Sequence, residues 1–241
     1  ITTLKRKGRL WDNLLELTEL AIRRESYSGT KTFVAVKKAL EEDVRDYLIS
    51  QGFTEGEDFE IGHYFGLTGS NRFQDCGAVV LFGNARLRDE DARAKELLTG
   101  VDRETFHHDK MVGELRDALH RTRPTQKDGI RAYILTDAVD FEEDFDGDYN
   151  TPPVDKFRNK LQNAIKREKE IKEIRDAILQ FVSEREEPPT ATDFKEVEKS
   201  YTKVKSQREN LVEDGKLQIK KETGGSGPPT RKYHLSDTVD A

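Results

Sequence analysis

Thr32-Phe33-Val34-Ala35-Val36 is a short apolar run that follows a Gly29 turn and leads into a helical pattern. A strand with one wet face alternates in polarity. A run that is apolar at every position must be covered on both faces, as in a parallel sheet flanked by helices. Ala78–Phe82 and Ile130–Thr136 read as two more buried strands, and Phe59–Phe65 alternates as a strand. Helical spacing fills the gaps. Leu10 to Arg24 and Lys38 to Gln51 each carry an apolar stripe, and Gly52 closes the second. A polar excursion over 84–110 reads as helical around Asp89–Leu98, and a helix over Glu114–Arg123 buries Leu115, Ala118 and Leu119 before Pro124 stops it. Strands alternating with helices from Thr32 to Thr136 predict an α/β domain on a mainly parallel sheet with flanking helices.

Composition limits what else the chain holds. Its 241 residues are only 34% hydrophobic and 37% charged, which favours two small domains and long solvated helices. The single cysteine, Cys76, excludes an internal disulfide and fits a reducing, cytoplasmic setting. No apolar run approaches the roughly 20 residues of a membrane span, so no membrane partner is expected. Opening on Ile1 rather than methionine, the chain reads as a fragment or processed product.

After residue 137 the character changes. Residues 138–153 are acidic and end in Pro152-Pro153, the composition of a linker between a first domain over 1–137 and a second over 154–241. Phe157 to Phe181 keeps an apolar seam that suits one long helix or two in series. A short helix follows, capped by Thr192 over Phe194 and Val197, then a helix from about Ser200 to Gly215. Strands at Lys216–Lys220 and Lys232–Leu235 flank a Gly/Pro loop. Three helices and a hairpin in this order predict a winged helix, a small α+β module.

Charge supports that reading. The chain carries net −6, yet Ser200–Leu235 holds eight basic and four acidic residues, leaving −10 for the remainder. Thr202, Lys203, Lys205, Ser206 and Arg208 would face outward from a recognition helix, and Lys220, Lys221, Arg231 and Lys232 would line the wing. Cations so placed neutralise phosphates, which makes DNA the expected partner.

Other chemistries lack their residues. Ser28-Gly29-Thr30-Lys31-Thr32 misses the first glycine of a P-loop and precedes its strand, so it cannot cradle a phosphate. His63, His107, His108, His120, His234 and Cys76 fit no closed zinc spacing, and no metal is expected. No nucleophile elbow is present.

Taken together, the strand at Thr32–Val36, the turn Thr68-Gly69-Ser70-Asn71, the strand Ala78–Gly83 and Leu119-His120-Arg121-Thr122-Arg123-Pro124 before a further strand resemble the second RecA-like motor domain of superfamily 1 and 2 helicases, most closely those of plasmids and viruses. The resemblance covers about Lys5–Asp137. It implies that Gly69, Ser70 and Asn71 match motif V, which touches nucleic acid and senses nucleotide. It also implies that Arg121 and Arg123 match the motif VI arginines that reach the γ-phosphate across a cleft. Asp117 stands where the family usually has glutamine and Thr68 where a basic residue is often found, two departures that bear on hydrolysis. The implied cofactors are ATP and Mg2+, held by a P-loop domain supplied in cis or in trans, and no ATPase activity is expected of this chain alone. The alternative function is a non-catalytic DNA-binding replication or transcription factor whose α/β domain is a degenerate scaffold.

Overall fold

The computed structural model describes residues 8–67, 71–86, 88–122, 130–136, 153–197, 199–222 and 230–236. They form two compact units, Ile1–Ile165 and Lys166–Ala241. The expected acidic linker at 138–153 lies almost wholly outside the described residues.

In the first unit the strands β1 (Thr32–Val36), β2 (Phe59–His63), β3 (Ala78–Phe82) and β4 (Arg131–Leu135) form one sheet in the order β2-β1-β3-β4. Every neighbouring pair is parallel. As the apolar run requires, β1 and β3 are buried at all five positions. The expectation of a third buried strand fails at β4. This is an edge strand with Arg131 and Ala132 exposed; Tyr133 and Leu135 are buried in the core and Ile134 is partly buried against it.

Helices α1 (Arg9–Tyr27) and α2 (Glu41–Ser50) cover one face, where Leu14, Ile22, Val44 and Leu48 meet Val34, Ile61 and Val80. Between β1 and α2 the chain makes one 3-10 turn, Lys38–Leu40. The other face is covered by the irregular segment between β2 and β3, through Tyr64, Leu67 and Phe73, and by helix α4 (Arg103–Arg121). Phe73 stacks on Phe33 with ring centres 4.1 Å apart. A Cβ on Gly62 would stand 2.7 Å from the Phe73 ring, so only glycine lets the segment lie this close.

Helix α3 (Asp89–Thr99) ends at Gly100 in the left-handed conformation, φ +70°. The next helix is longer than its apolar spacing suggests. The Asp102 side chain accepts the Thr105 N–H at 2.9 Å, which starts α4 at Arg103 rather than near Glu114. At the far end of the sheet Glu25, 1% exposed, accepts hydrogen bonds from the Tyr133 hydroxyl and from Arg131 Nη1 at 3.1 Å. This ties the end of α1 to β4.

The apolar seam from Phe157 onward forms one helix, α5 (Val154–Ser183). Its opening turns belong to the first compact unit. Leu161 is buried in the α1 side of the core, and Arg158 bonds Glu16 and Asn13 at 2.9 and 3.0 Å.

The second unit packs Ile174, Ile178 and Val182 of α5 against Phe194, against Val204 and Leu211 of α6 (Tyr201–Glu213), and against Leu217 and Tyr233 of a hairpin. Its strands are β5 (Leu217–Glu222) and β6 (Thr230–Leu235), paired antiparallel. Thr190 adds an isolated antiparallel bridge to Lys232. The short helix expected over Phe194 is a 3-10 turn, Asp193–Glu196, and Thr192 makes no side-chain cap. Asp193 supplies the local bond instead, its carboxylate accepting the Thr190 N–H at 2.7 Å and hydroxyl at 2.9 Å.

Candidate functional site

A parallel sheet has two unlike edges, one where all strands begin and one where all end. Arg121 is the last residue of α4 and is half-buried. Thr122, directly after it, is fully buried and bonds the Leu119 carbonyl at 2.9 Å, which fixes the helix end. Arg123 lies outside the described residues, as do Gly69 and Ser70. Asn71 is described and exposed; its carbonyl accepts the Gln74 N–H at 3.2 Å in a turn. The next residue, Arg72, bonds Glu60 at 2.6 Å and Glu55 at 2.9 Å, holding this turn beside the start of β2. The turn at Asn71 therefore lies at the strand-start edge, beside β2 at one margin of the four-stranded sheet.

The strand-end edge carries a second group of side chains. The chain leaves β1 toward β2 on one side, while β3 pairs on the other, so the strand order reverses between β1 and β3. Ligands of open α/β sheets settle beyond such a switch point. Lys37 follows β1 there, half-buried; its carbonyl accepts the Leu40 N–H at 2.8 Å, and its ammonium has no hydrogen-bond or ion-pair partner among the described residues. Burial first, and the Arg86 cation second, push its ammonium below the usual lysine value. Arg86, just past β3, is exposed and meets Glu104 and Asp89 only loosely, at 3.5 and 3.7 Å.

One strand over, Tyr64 continues from β2 and donates its N–H to the Val36 carbonyl at 2.8 Å. Phe65 then turns outward, 44% exposed, with φ +66°. The left-handed region costs a side-chain-bearing residue roughly 1–2 kcal/mol. The conformation is held by its surroundings: the Phe65 N–H donates to the Glu114 carboxylate of α4 at 2.6 Å. A Cβ on Gly66 would stand 2.2 Å from the His63 ring, whose Nδ1 contacts Glu41 at 2.8 Å. Lys37, Phe65 and Arg86 were not among the residues expected from sequence. Their signal was positional: each lies within four residues of the end of a buried strand.

In the second unit, Thr202, Lys205 and Ser206 are exposed along α6. Lys203 is exposed too, but its ammonium bonds Glu170 at 2.5 Å. Arg208 does not face outward. It is 5% exposed, donates to the Ala191 carbonyl at 3.1 Å, and lies over the rings of Phe194 and Tyr233. The helix twist carries position 208 to the same side as buried Val204 and Leu211, and the two rings supply a π surface for the guanidinium. The hairpin pairs Lys220 directly with Lys232 and Lys221 with Arg231. Like charges facing across a ladder repel, so this hairpin concentrates positive charge at a cost to its own pairing.

Among the described residues no group of three or more His, Cys, Asp or Glu is placed to hold a metal ion. None of the described helices is long and apolar enough to cross a membrane. Comparison with family models, with curated proteins and with solved structures gives no match.

Proposed function

We propose that this chain is the C-terminal portion of an ATP-dependent DNA helicase or translocase, a RecA-like second motor domain joined to a DNA-binding winged helix. The observation that carries the reading is the position of Arg121, at the end of a sheet-covering helix that returns to an all-parallel sheet. Arginine keeps its charge and offers a rigid fork of donors. Delivered to a transferring phosphoryl group, such charge supplies several orders of magnitude in rate. Supplied from a second domain, it makes turnover depend on closure.

ATP and Mg2+ would bind on a P-loop domain in cis or in trans, where the metal neutralises the phosphates. This chain's share would be the positive charge of Arg121 and Arg123. The second unit supports the DNA-binding half of the proposal. Helix, bridged residue, short 3-10 turn, helix and hairpin follow in winged-helix order, with Thr190 bridged to Lys232 of the hairpin. With Arg208 turned inward, Thr202, Lys203, Lys205 and Ser206 remain on the helix, and Lys220, Lys221, Arg231 and Lys232 form the wing's phosphate contacts.

The test is Arg121→Ala in the protein assembled with its P-loop domain. ATP turnover should fall on the order of a thousandfold while DNA affinity stays within a factor of about two. Unchanged turnover would remove Arg121 from the chemistry.

A further inference from the structure

The outward-turned Phe65 and Lys37, whose ammonium has no partner among the described residues, stand on neighbouring strand ends. Val36 and His63 are register partners in β1 and β2, and the Tyr64 N–H on the Val36 carbonyl extends that pairing, so the two segments leave the sheet side by side. Phe65 is not a core residue that has slipped out. Its neighbour Tyr64 is 2% exposed and fills the core, whereas the Phe65 ring is presented to solvent by a backbone conformation that most residues avoid. Three separate contacts hold that conformation: Glu114 on its N–H, the His63 ring against Gly66, and Glu41 on His63. A strained exposed aromatic that the surroundings fix from several sides is the kind of feature that marks a ligand contact.

The cations decide what the ring meets. Lys37 is half-buried, its ammonium has no hydrogen bond or ion pair among the described residues, and Arg86 stands on the far side of the switch point. The nearest carboxylates are already engaged, Glu41 by His63 and Arg45 and Glu114 by the Phe65 N–H. Glu42 and Asp43 of the first turn of α2 are exposed and acidic. They make the general field at this edge weak, so affinity must come from the ring, with Lys37 as a local anchor for one anionic group. A flat apolar face beside a single anchored anion fits a nucleotide unit: a base on the ring and its phosphate on the ammonium.

We infer that Phe65 and Lys37 form a nucleotide-unit site for single-stranded nucleic acid at the strand-end edge of the sheet, with Phe65 stacking a base and Lys37 taking the adjacent phosphate. Choosing a polynucleotide over a free nucleotide rests on the motor reading above. The stacking face itself does not, and neither does the test. Base stacking tolerates any sequence because every base has a π face, so the site would grip without reading.

Phe65→Trp puts a fluorescent ring at the position, and Trp11, the chain's own tryptophan, is 9% exposed and gives the background from the parent protein. Three probes are titrated against the intact chain: single-stranded oligothymidylate, thymidine monophosphate and inorganic phosphate. Oligothymidylate should quench the new emission, with the monophosphate acting only at far higher concentration and phosphate not at all. Phe65→Leu should weaken oligothymidylate binding about tenfold, and Phe65→Trp should keep it. Lys37→Gln should lower the slope of log affinity against log salt by about 0.7, one phosphate of a single strand.

Emission unchanged by oligothymidylate overturns the site, whether or not the chain binds the oligonucleotide elsewhere. Equal quenching by the monophosphate overturns the polynucleotide assignment, and quenching by phosphate alone overturns the stacking. These readouts do not involve ATP turnover. A failed Phe65 site would leave the Arg121 result standing, and a failed Arg121 role would leave this one.

Discussion

The guanidinium carbon of Arg208 stands 4.8 Å from the centre of the Tyr233 ring, which joins α6 to the hairpin through a charge that reads on paper as a DNA contact. Phe194 closes the other contact at 5.2 Å, and its ring meets Tyr233 edge-on. Arg208→Ala removes both ring contacts and leaves the Ala191 carbonyl without its donor. The second unit should lose about 2–3 kcal/mol in urea unfolding. Duplex affinity of the protein that remains folded should hardly change. A large affinity loss with intact stability would return Arg208 to the proposed DNA contacts.

The hairpin cations should show effects of opposite sign. Lys220→Thr removes one member of the Lys220–Lys232 pair. The hairpin should gain roughly 0.5 kcal/mol at low salt. Duplex binding should weaken, and its salt slope should fall by about 0.9. Loss of stability in this variant would mean that the repulsion is compensated within the fold.

Acid should loosen the second unit through Asp193. Hydrogen bonds from the Thr190 N–H and hydroxyl hold its carboxyl below the ordinary aspartate value. A depressed folded value contributes stability that is present above the unfolded value, about 3.9, and is lost as pH falls through the folded one. Thermal unfolding followed from pH 7 to pH 2 should therefore show a decline below about pH 4. Asp193→Asn should be less stable at pH 7 and should flatten that decline. An unaltered acid profile would assign it to other carboxylates.

Gly62→Ala tests how the segment between β2 and β3 lies on the sheet. The added methyl meets the Phe73 ring at 2.7 Å and a Leu67 methyl at 3.1 Å. Such overpacking should cost about 1–3 kcal/mol in chemical denaturation. Pairing it with Phe73→Leu should recover part of the loss. Independent, additive effects would show that the two positions do not touch.

Tyr133→Phe leaves the Glu25 carboxylate with Arg131 as its remaining hydrogen-bond donor among the described residues, and removes the acceptor of Arg24. The carboxylate is almost wholly enclosed, so the loss should be about 1–3 kcal/mol. Replacing Glu25 by Gln in the same background should restore some of it, because a neutral amide tolerates burial better.

The sheet was legible in the sequence wherever both faces are covered. Thr32–Val36 and Ala78–Phe82 could be read because no position in them tolerates water, and the parallel sheet follows from that. Ile130–Thr136 misled because apolar residues on an edge strand resemble those of a central one, and only packing shows which face is bare. Half of α4 was missed because its first turns are polar and its start depends on a single carboxylate, Asp102. Arg208 misled for a different reason. Its partners Phe194 and Tyr233 lie far from it in sequence, and no local pattern distinguishes an arginine that stacks inward from one that points out. Lys37 and Phe65 became visible only once the strand order was known, since a switch point belongs to a topology and not to a motif.

Glu114 and Arg121 belong to one helix, seven residues and about 10 Å apart. The first reaches the backbone of Phe65 at the strand-end edge of the sheet, and the second closes the helix. Leu115 and Ala118 lock the rod between them into the core on this face of the sheet. The two residues therefore share a single mechanical datum. A substitution that tilts or slides this helix displaces both extremities at once, and neither can be retuned in isolation. Mutational drift at the buried face of α4 is thus constrained twice over, although none of those apolar side chains need touch a ligand.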